Sequence, residues 1–283
     1  MKFLLLLCLL PLNLFSEELK VLTWNTFLLP PPWNISKQIQ RTEVMKEILP
    51  SFDQDIMFFQ ETFFDKERNK LIQELKKTHP FIAVPKKGHK LKQIQDSGLF
   101  ITSIYPLKII DQVIFNDCAK ADCFSSKSAI LVEVTLSSGK RVQMLDTHLQ
   151  AWNGKKIQGI RRKQLEQIKK MLSKYREPNI PQFLVGDLNM DGNSGTEYKK
   201  SLLFMNMTST SLDGPIQITN GFSTKGCFKN PGGGMEWIDH VWLKKNGSDA
   251  QITSLKVFPI FGQIDEKICP LSDHYALAAT ITI

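Results

Sequence analysis

The sequence predicts an α/β fold, strand-rich layers with helices outside them, and three observations predict it. Apolar runs of strand length, such as 55–60 (DIMFFQ) and 183–185 (FLV), recur along the chain and each stops at a polar residue. Between them lie segments whose apolar residues follow helical spacing. No internal repeat, low-complexity tract or linker divides the 283 residues, and 42% of them are hydrophobic. A single domain over 17–283 with a sizeable core is the expectation.

Each element has its own signal. Residues 1–16 start with Lys2, continue through an apolar run over 3–15 and close on Ser16. This is the pattern of an export signal, and the run is short for a membrane span. Residues 19–24 read as a strand with Asn25 at its end, followed by an apolar, proline-rich loop over 27–33. Ser36 is expected to cap a helix over 37–49 whose buried side carries Val44, Met45, Ile48 and Leu49. The strand over 55–60 ends at Glu61, and a helix over 67–78 is built on Leu71, Ile72 and Leu75. Asp96 precedes a strand over 98–104. Strands over 129–136 and 141–146 flank a turn at 137–139, and the second runs out at Thr147 and His148. A basic amphipathic helix follows over 160–175. After 183–185 come Gly186, Asp187 and Asn189, the last two expected on one face of the strand end. A helical piece over 196–205 leads into a loop-rich stretch over 208–234, most flexible at 232–234. Strands over 236–243, carrying Asp239, and over 252–258 come next. Ser272, Asp273 and His274 lead into the last strand, 275–283.

The net charge is +8, with basic residues gathered at Lys86, Lys87, Lys90 and Lys92 and again at Lys155, Lys156, Arg161, Arg162 and Lys163. Such patches suit nucleic acid or anionic lipid, although each alone also reads as a solvated face. Without the signal, Cys8 is lost and Cys118, Cys123, Cys227 and Cys269 remain. An even number in an exported chain implies two disulfides. Three pairings are open; proximity favours Cys118–Cys123, which leaves Cys227–Cys269. No cysteine has metal-site spacing with a histidine, which argues against zinc.

The strand ends deliver Asn25, Glu61, His148, Asp187 with Asn189, Asp239, and Asp273 with His274. Any one of these has a plain explanation as a turn former or a satisfied histidine. Together they have a chemistry. Oxygen donors without cysteine favour Mg²⁺ or Mn²⁺, and histidines supply groups that change charge near neutral pH. A cation, a base and donors for a charged oxygen are what phosphodiester hydrolysis needs.

The motifs W-N, Q-E-T, S-G-L-F-I-T-S-I-Y-P, T-H-L-Q-A, G-D-L-N, I-D-H-V and S-D-H run from Trp24 to His274. This set resembles the endonuclease/exonuclease/phosphatase superfamily, whose fold is DNase I-like. Within it the chain is similar to the bacterial neutral sphingomyelinase C enzymes, chiefly through T-H-L-Q-A and the segment with Asp122, Cys123 and Lys127. The resemblance implies a four-layered α/β sandwich of two mixed sheets flanked by helices. It implies Glu61 as principal metal ligand with Asn25 beside it, and His274 as general base. Asp187 and Asn189 would orient the nucleophile and a phosphoryl oxygen. His148 would donate to the phosphate with Asp239 fixing its orientation. Asp273, by its place directly before His274, is read from the residues alone as polarising that neighbour or touching the metal or water. Asp96 and Lys127 would support the site from behind or contact substrate.

The reaction implied is hydrolysis of sphingomyelin by a secreted monomer using Mg²⁺, with Mn²⁺ or Co²⁺ as substitutes. Docking on a sphingomyelin-containing membrane would use Phe258, Ile260 and Phe261, with the loop over 28–33 as a second candidate. Two features depart from the family pattern. No tryptophan stands at 257–263, and Ser126-Lys127-Ser128 replaces an Asn-Lys-Gly. Two other readings stay open. One is a secreted nuclease of the same fold, with nucleic acid as partner. The other is a non-catalytic membrane- or host-binding module.

Overall fold

The computed structural model describes residues 16–30, 36–88, 94–193, 195–221, 224–229 and 234–283. The export signal, Lys90, Lys92, residues 31–33 of the apolar loop and the flexible point at 232–233 lie outside the described residues. In chain order the elements are β1 (Glu18–Asn25), α1 (Gln38–Ile48), β2 (Ile56–Gln60), α2 (Asp65–Leu75), β3 (Phe81–Ala83), β4 (Phe100–Ser103) and β5 (Leu107–Ile114). Then follow β6 (Ser128–Thr135), β7 (Arg141–His148), α3 (Lys155–Lys174), β8 (Gln182–Asp187) and α4 (Thr196–Met205). The chain closes with β9 (Asp239–Lys244), β10 (Gln251–Phe258), β11 (Phe261–Ile264), β12 (Lys267–Pro270) and β13 (Ala276–Thr282).

Two mixed sheets result, ordered β10-β13-β1-β2-β4-β3 and β5-β6-β7-β8-β9, with β11 and β12 as a separate hairpin. Strand alternation sorts the apolar residues into three layers. Leu19 and Val21, Ile56 and Phe58, Val142 and Met144, and Phe183 and Val185 meet between the sheets. Leu22, Trp24, Met57 and Phe59 face outward onto Met45, Leu71 and Leu75 of the first two helices. Leu131, Leu145, Leu184 and Trp242 face outward onto Leu165, Ile168 and Leu172 of α3 and Tyr198 of α4. Helix, sheet, sheet and helix therefore form four layers, as the resemblance implies.

The inward-facing rows become polar at one edge of the sandwich. Each row continues at period 2 from its apolar residues into Thr23 and Asn25, Gln60, Asp146 and His148, Asp187, and Asp239. Parallel pairing of β1 with β2 and of β7 with β8 brings these ends to the same edge, with Asn25 opposite Gln60 and His148 opposite Asp187. Antiparallel β9 places Asp239 against the other side of Asp187.

Three local expectations change. Ser36 does not cap α1, whose entry residue Lys37 is left-handed. The Ser36 hydroxyl donates to the Phe27 carbonyl instead, at 3.2 Å. β9 starts at Asp239, three residues later than the apolar pattern suggests, because Trp237 is held against Asp191. β8 ends at Asp187, and Asn189 has turned out of the strand with φ 52°.

Candidate functional site

Asp187 is the centre of the polar edge. Its Oδ2 accepts from Asn25 Nδ2 at 3.0 Å and lies 3.5 Å from His148 Nε2 and 3.9 Å from His274 Nε2. Its Oδ1 accepts from the Asn189 backbone N–H at 2.9 Å, which turns the chain out of the strand. Gly186 permits this packing. A Cβ there would stand 2.1 Å from the Thr147 carbonyl oxygen, so a side chain would push β8 off β7.

Glu61 leaves β2 with φ 53°, which turns its carboxylate toward Asn25 Nδ2, 3.0 Å away. Asn25 thus donates to both carboxylates, while its own Oδ1 accepts from the Phe27 backbone N–H at 3.1 Å. In this arrangement Asn25 orients the two acids. His148 Nε2 lies 3.8 Å from Glu61 Oε1. Ligand atoms of Glu61, His148 and Asp187 fall within 4.8 Å of one another, and so do those of Asp187, Asp239 and His274.

The Asp239 carboxylate bonds His274 Nδ1 at 2.9 Å. This corrects the expectation that Asp239 orients His148. The register explains it: Asp239 and His148 lie on opposite sides of Asp187. His148 is served by Lys127, whose Nζ donates to His148 Nε2 at 3.0 Å and to the Leu149 carbonyl at 2.7 Å, and pairs with Asp122 at 2.7 Å. Asp273 stands beside His274 with Ser272 Oγ 3.3 Å from its Oδ1. Asp96 braces from behind, accepting the Gly98 N–H at 2.8 Å and pairing with Arg68 at 2.7 Å. Asn189 Nδ2 donates to the Leu149 carbonyl at 3.2 Å, which ties the β8 end to the T-H-L-Q-A loop.

The electrostatics follow from burial. Desolvation, then the charge of Asp273, pushes Glu61 up to about 7. Desolvation, then Asp239, pushes Asp187 up to about 6. Burial likewise raises Asp273, against the opposing charges of His274 and Arg41. Burial alone would depress His274, but Asp239, Asp187 and Asp273 outweigh it and hold that imidazole well above its ordinary value. Burial, then Lys127 and His274, holds His148 well below its own. Carboxylates crowded in a low dielectric, all oxygen and nitrogen donors and no sulfur, fit a hard divalent cation.

Sequence reasoning missed several supporting residues. Gln60 donates to Asp146 at 2.7 Å and to Thr23 at 3.1 Å, a polar bridge between the sheets under the site. Thr219 Oγ1 accepts the N–H groups of Ile238 and Asp239, both at 3.1 Å. Ser272 Oγ donates to the Asn25 carbonyl at 2.7 Å and accepts the His274 N–H at 3.1 Å. Thr219 sits in a loop without periodicity and carries no sequence signal. Asp146 had one, an acid at an inward position of an apolar strand. Arg161 is not part of a solvated basic face: it is buried, paired with Glu197 at 2.8 Å and bonded to the Gln150 carbonyl at 2.9 Å.

At the proposed docking region, Phe258 and Phe261 are 41% and 46% exposed. Ile260 is not available, being 4% exposed and packed with Met45 and Leu271 in the outer core. β10 ends at Phe258 and β11 starts at Phe261, and Ile260 between them is turned into the core. The β11–β12 hairpin adds Ile268, 73% exposed, and is pinned by the Cys227–Cys269 disulfide; Cys118–Cys123 is the other.

No family model matches the chain. It is 25% identical over 254 residues to a phospholipase C of Staphylococcus aureus, covering 82% of this chain and 75% of that protein. It is 23% identical over 303 residues to a sphingomyelinase C of Bacillus cereus, covering 95% of this chain and 90% of that protein. A crystal structure of a Staphylococcus aureus beta toxin variant with bound magnesium ions superposes with a TM-score of 0.74 at 21% identity, over 93% of this chain and 99% of that one. An endonuclease/exonuclease/phosphatase family protein of Bacteroides thetaiotaomicron superposes with a TM-score of 0.66 at 12% identity, over 95% of this chain and 99% of that one. The chain is thus similar in sequence to bacterial sphingomyelinase C and phospholipase C proteins, and its fold is DNase I-like, shared with the endonuclease/exonuclease/phosphatase family protein.

Proposed function

We propose that the chain is a secreted, divalent-metal-dependent phosphodiesterase that hydrolyses sphingomyelin to ceramide and phosphocholine. The observation that carries this is the pair of ligand groups, Glu61–His148–Asp187 and Asp187–Asp239–His274, sharing one carboxylate, in a relative of sphingomyelinase C. Glu61 and Asp187, held by Asn25, would hold the cation, with His148 beside them. Mg²⁺ there, or Mn²⁺ or Co²⁺ in its place, would supply positive charge for the phosphodiester oxygens.

His274 is the general base. Asp239 holds its Nδ1–H, so Nε2 is the nitrogen turned toward Asp187 and an attacking water. His274 sheds its proton more readily once the Asp187 charge is offset. Asn189 presents an N–H donor for a phosphoryl oxygen, Lys127 supplies positive charge behind His148, and Asp273 and Asp96 keep their neighbours in place. Phe258 and Phe261, joined by Ile268, form the apolar rim that meets a sphingomyelin-containing bilayer, and membrane damage follows from ceramide production there. Two disulfides and the apolar stretch over 3–15 support export.

The test is to incubate the mature chain with sphingomyelin vesicles and, separately, with plasmid DNA, each with Mg²⁺ and with EDTA. Metal-dependent phosphocholine release without nicking is the expected outcome. Nicking without phosphocholine would move the substrate to nucleic acid.

A further inference from the structure

Arg41 is a cation buried without an ion pair among the described residues. It lies in α1, four residues before Met45, and none of its side chain reaches solvent. Burying a guanidinium is costly unless its donors are met, and here oxygen meets each nitrogen. Nε donates to the Ser36 carbonyl at 2.6 Å. Nη1 donates to the Thr26 and Leu271 carbonyls, both at 2.7 Å. Nη2 donates to Ser36 Oγ at 2.8 Å and to the Phe27 carbonyl. The Phe228 ring packs 4.8 Å from its centre and the Phe27 ring 5.8 Å. No carboxylate accepts from it among the described residues. The acids whose charge reaches it are Asp273 and Glu61, both in the site.

The segments it joins explain the expense. Thr26 and Phe27 directly follow Asn25, and the Phe27 N–H fixes the Asn25 carboxamide. Leu271 directly precedes Ser272, whose hydroxyl bonds the Asn25 carbonyl and the His274 N–H. One planar fork therefore spans the segment that aims Asn25 and the segment that carries Asp273 and His274. We propose that Arg41 is a positioning residue for the reaction, setting the spacing between the metal-binding carboxylates, aimed by Asn25, and the base His274. The proposal rests on the phosphodiesterase reading above. A lysine would keep the charge, but a single nitrogen cannot span these segments, so Arg41→Lys isolates the fork.

The experiment compares wild type, Arg41→Lys and Ser36→Ala. It reads Mg²⁺ affinity by titration calorimetry on the protein alone, then kcat and KM on sphingomyelin vesicles, then Tm. Arg41→Lys is expected to bind Mg²⁺ about tenfold more weakly and to lose about 100-fold in kcat, with KM for vesicles unchanged. Ser36→Ala, which removes one partner of the fork, should shift both readouts the same way by less. It also decides the matter if Arg41→Lys does not fold. Wild-type Mg²⁺ affinity and kcat in the variants, with only Tm lowered, would make Arg41 a loop staple and overturn the proposal. A wild type that neither binds Mg²⁺ nor releases phosphocholine would overturn the functional reading, and the proposal with it.

Discussion

With Nδ1 of His274 tied to Asp239 at 2.9 Å, the direction of its other nitrogen depends on a carboxylate acceptor. In Asp239→Asn the amide can donate to Nδ1 and so favour the wrong tautomer. Phosphocholine release should then fall by about 10²–10⁴-fold in kcat with KM unchanged, and His274→Ala should abolish turnover in a folded protein. A loss confined to KM would remove Asp239 from the chemistry. His240, the next residue, is a different case. Its Nε2–H donates to the Met190 carbonyl at 2.7 Å among the Tyr198 and Trp237 rings. Burial holds it down at about 4 from an ordinary 6.5. On acidification the unfolded chain binds this proton first, so stability falls as pH drops from about 6.5 toward about 4. The loss should reach about 2 kcal/mol at pH 5. His240→Gln keeps a donor without the titration, so its denaturant midpoint should change less between pH 7 and pH 5 than that of wild type. Parallel acid slopes would refute this.

The hairpin end of the molecule sets exposed phenylalanines and a buried isoleucine within four residues. Phe261→Ala should weaken hydrolysis of vesicles far more than of detergent micelles, because the ring is exposed on the rim. Ile260→Ala should cost about 2–5 kcal/mol of stability and show no vesicle-specific loss, because that side chain is in the core. Equal losses of Phe261→Ala in both assays would remove the docking role. Element positions were legible in the sequence where periodicity carries the information. The core strands β1, β2, β6, β7 and β8 lie where their apolar runs do, and α4 matches its expected span. β5 was not legible: its side chains are half-exposed, and its residues show no clean alternation. The β11–β12 hairpin was hidden too, because its turn uses Asp265 and Glu266 with φ 46° and 65° and not glycine.

Across the whole molecule, the site was readable as a list and unreadable as a set of pairs. Strand ends name Glu61, His148, Asp187, Asp239 and His274 because polarity stops each apolar run. Which acid serves which histidine depends on strand order, and the sequence does not display it. The same holds for Arg41, whose partners come from three loops. The disulfides act at this scale as well. Cys227–Cys269 closes a separation of 42 residues and Cys118–Cys123 one of 5. Chain entropy then predicts about 4 kcal/mol lost on replacing the first pair by serines and about 2 kcal/mol for the second. Guanidinium melts of the two double variants check the order, and a reversed order would refute it.

The six-stranded sheet has β1 and β13 side by side, Leu19 paired with Ile281. A ribosome makes β1 long before β13. Until the last strand emerges, β1 lacks one of its two neighbours and β10 lacks its only one. Loop-closure entropy across almost the whole chain must be met before this pairing forms. The topology therefore delays completion of the sheet until β13 has been made. Until then two strands of one sheet keep open edges, and the chain stays short of its native core.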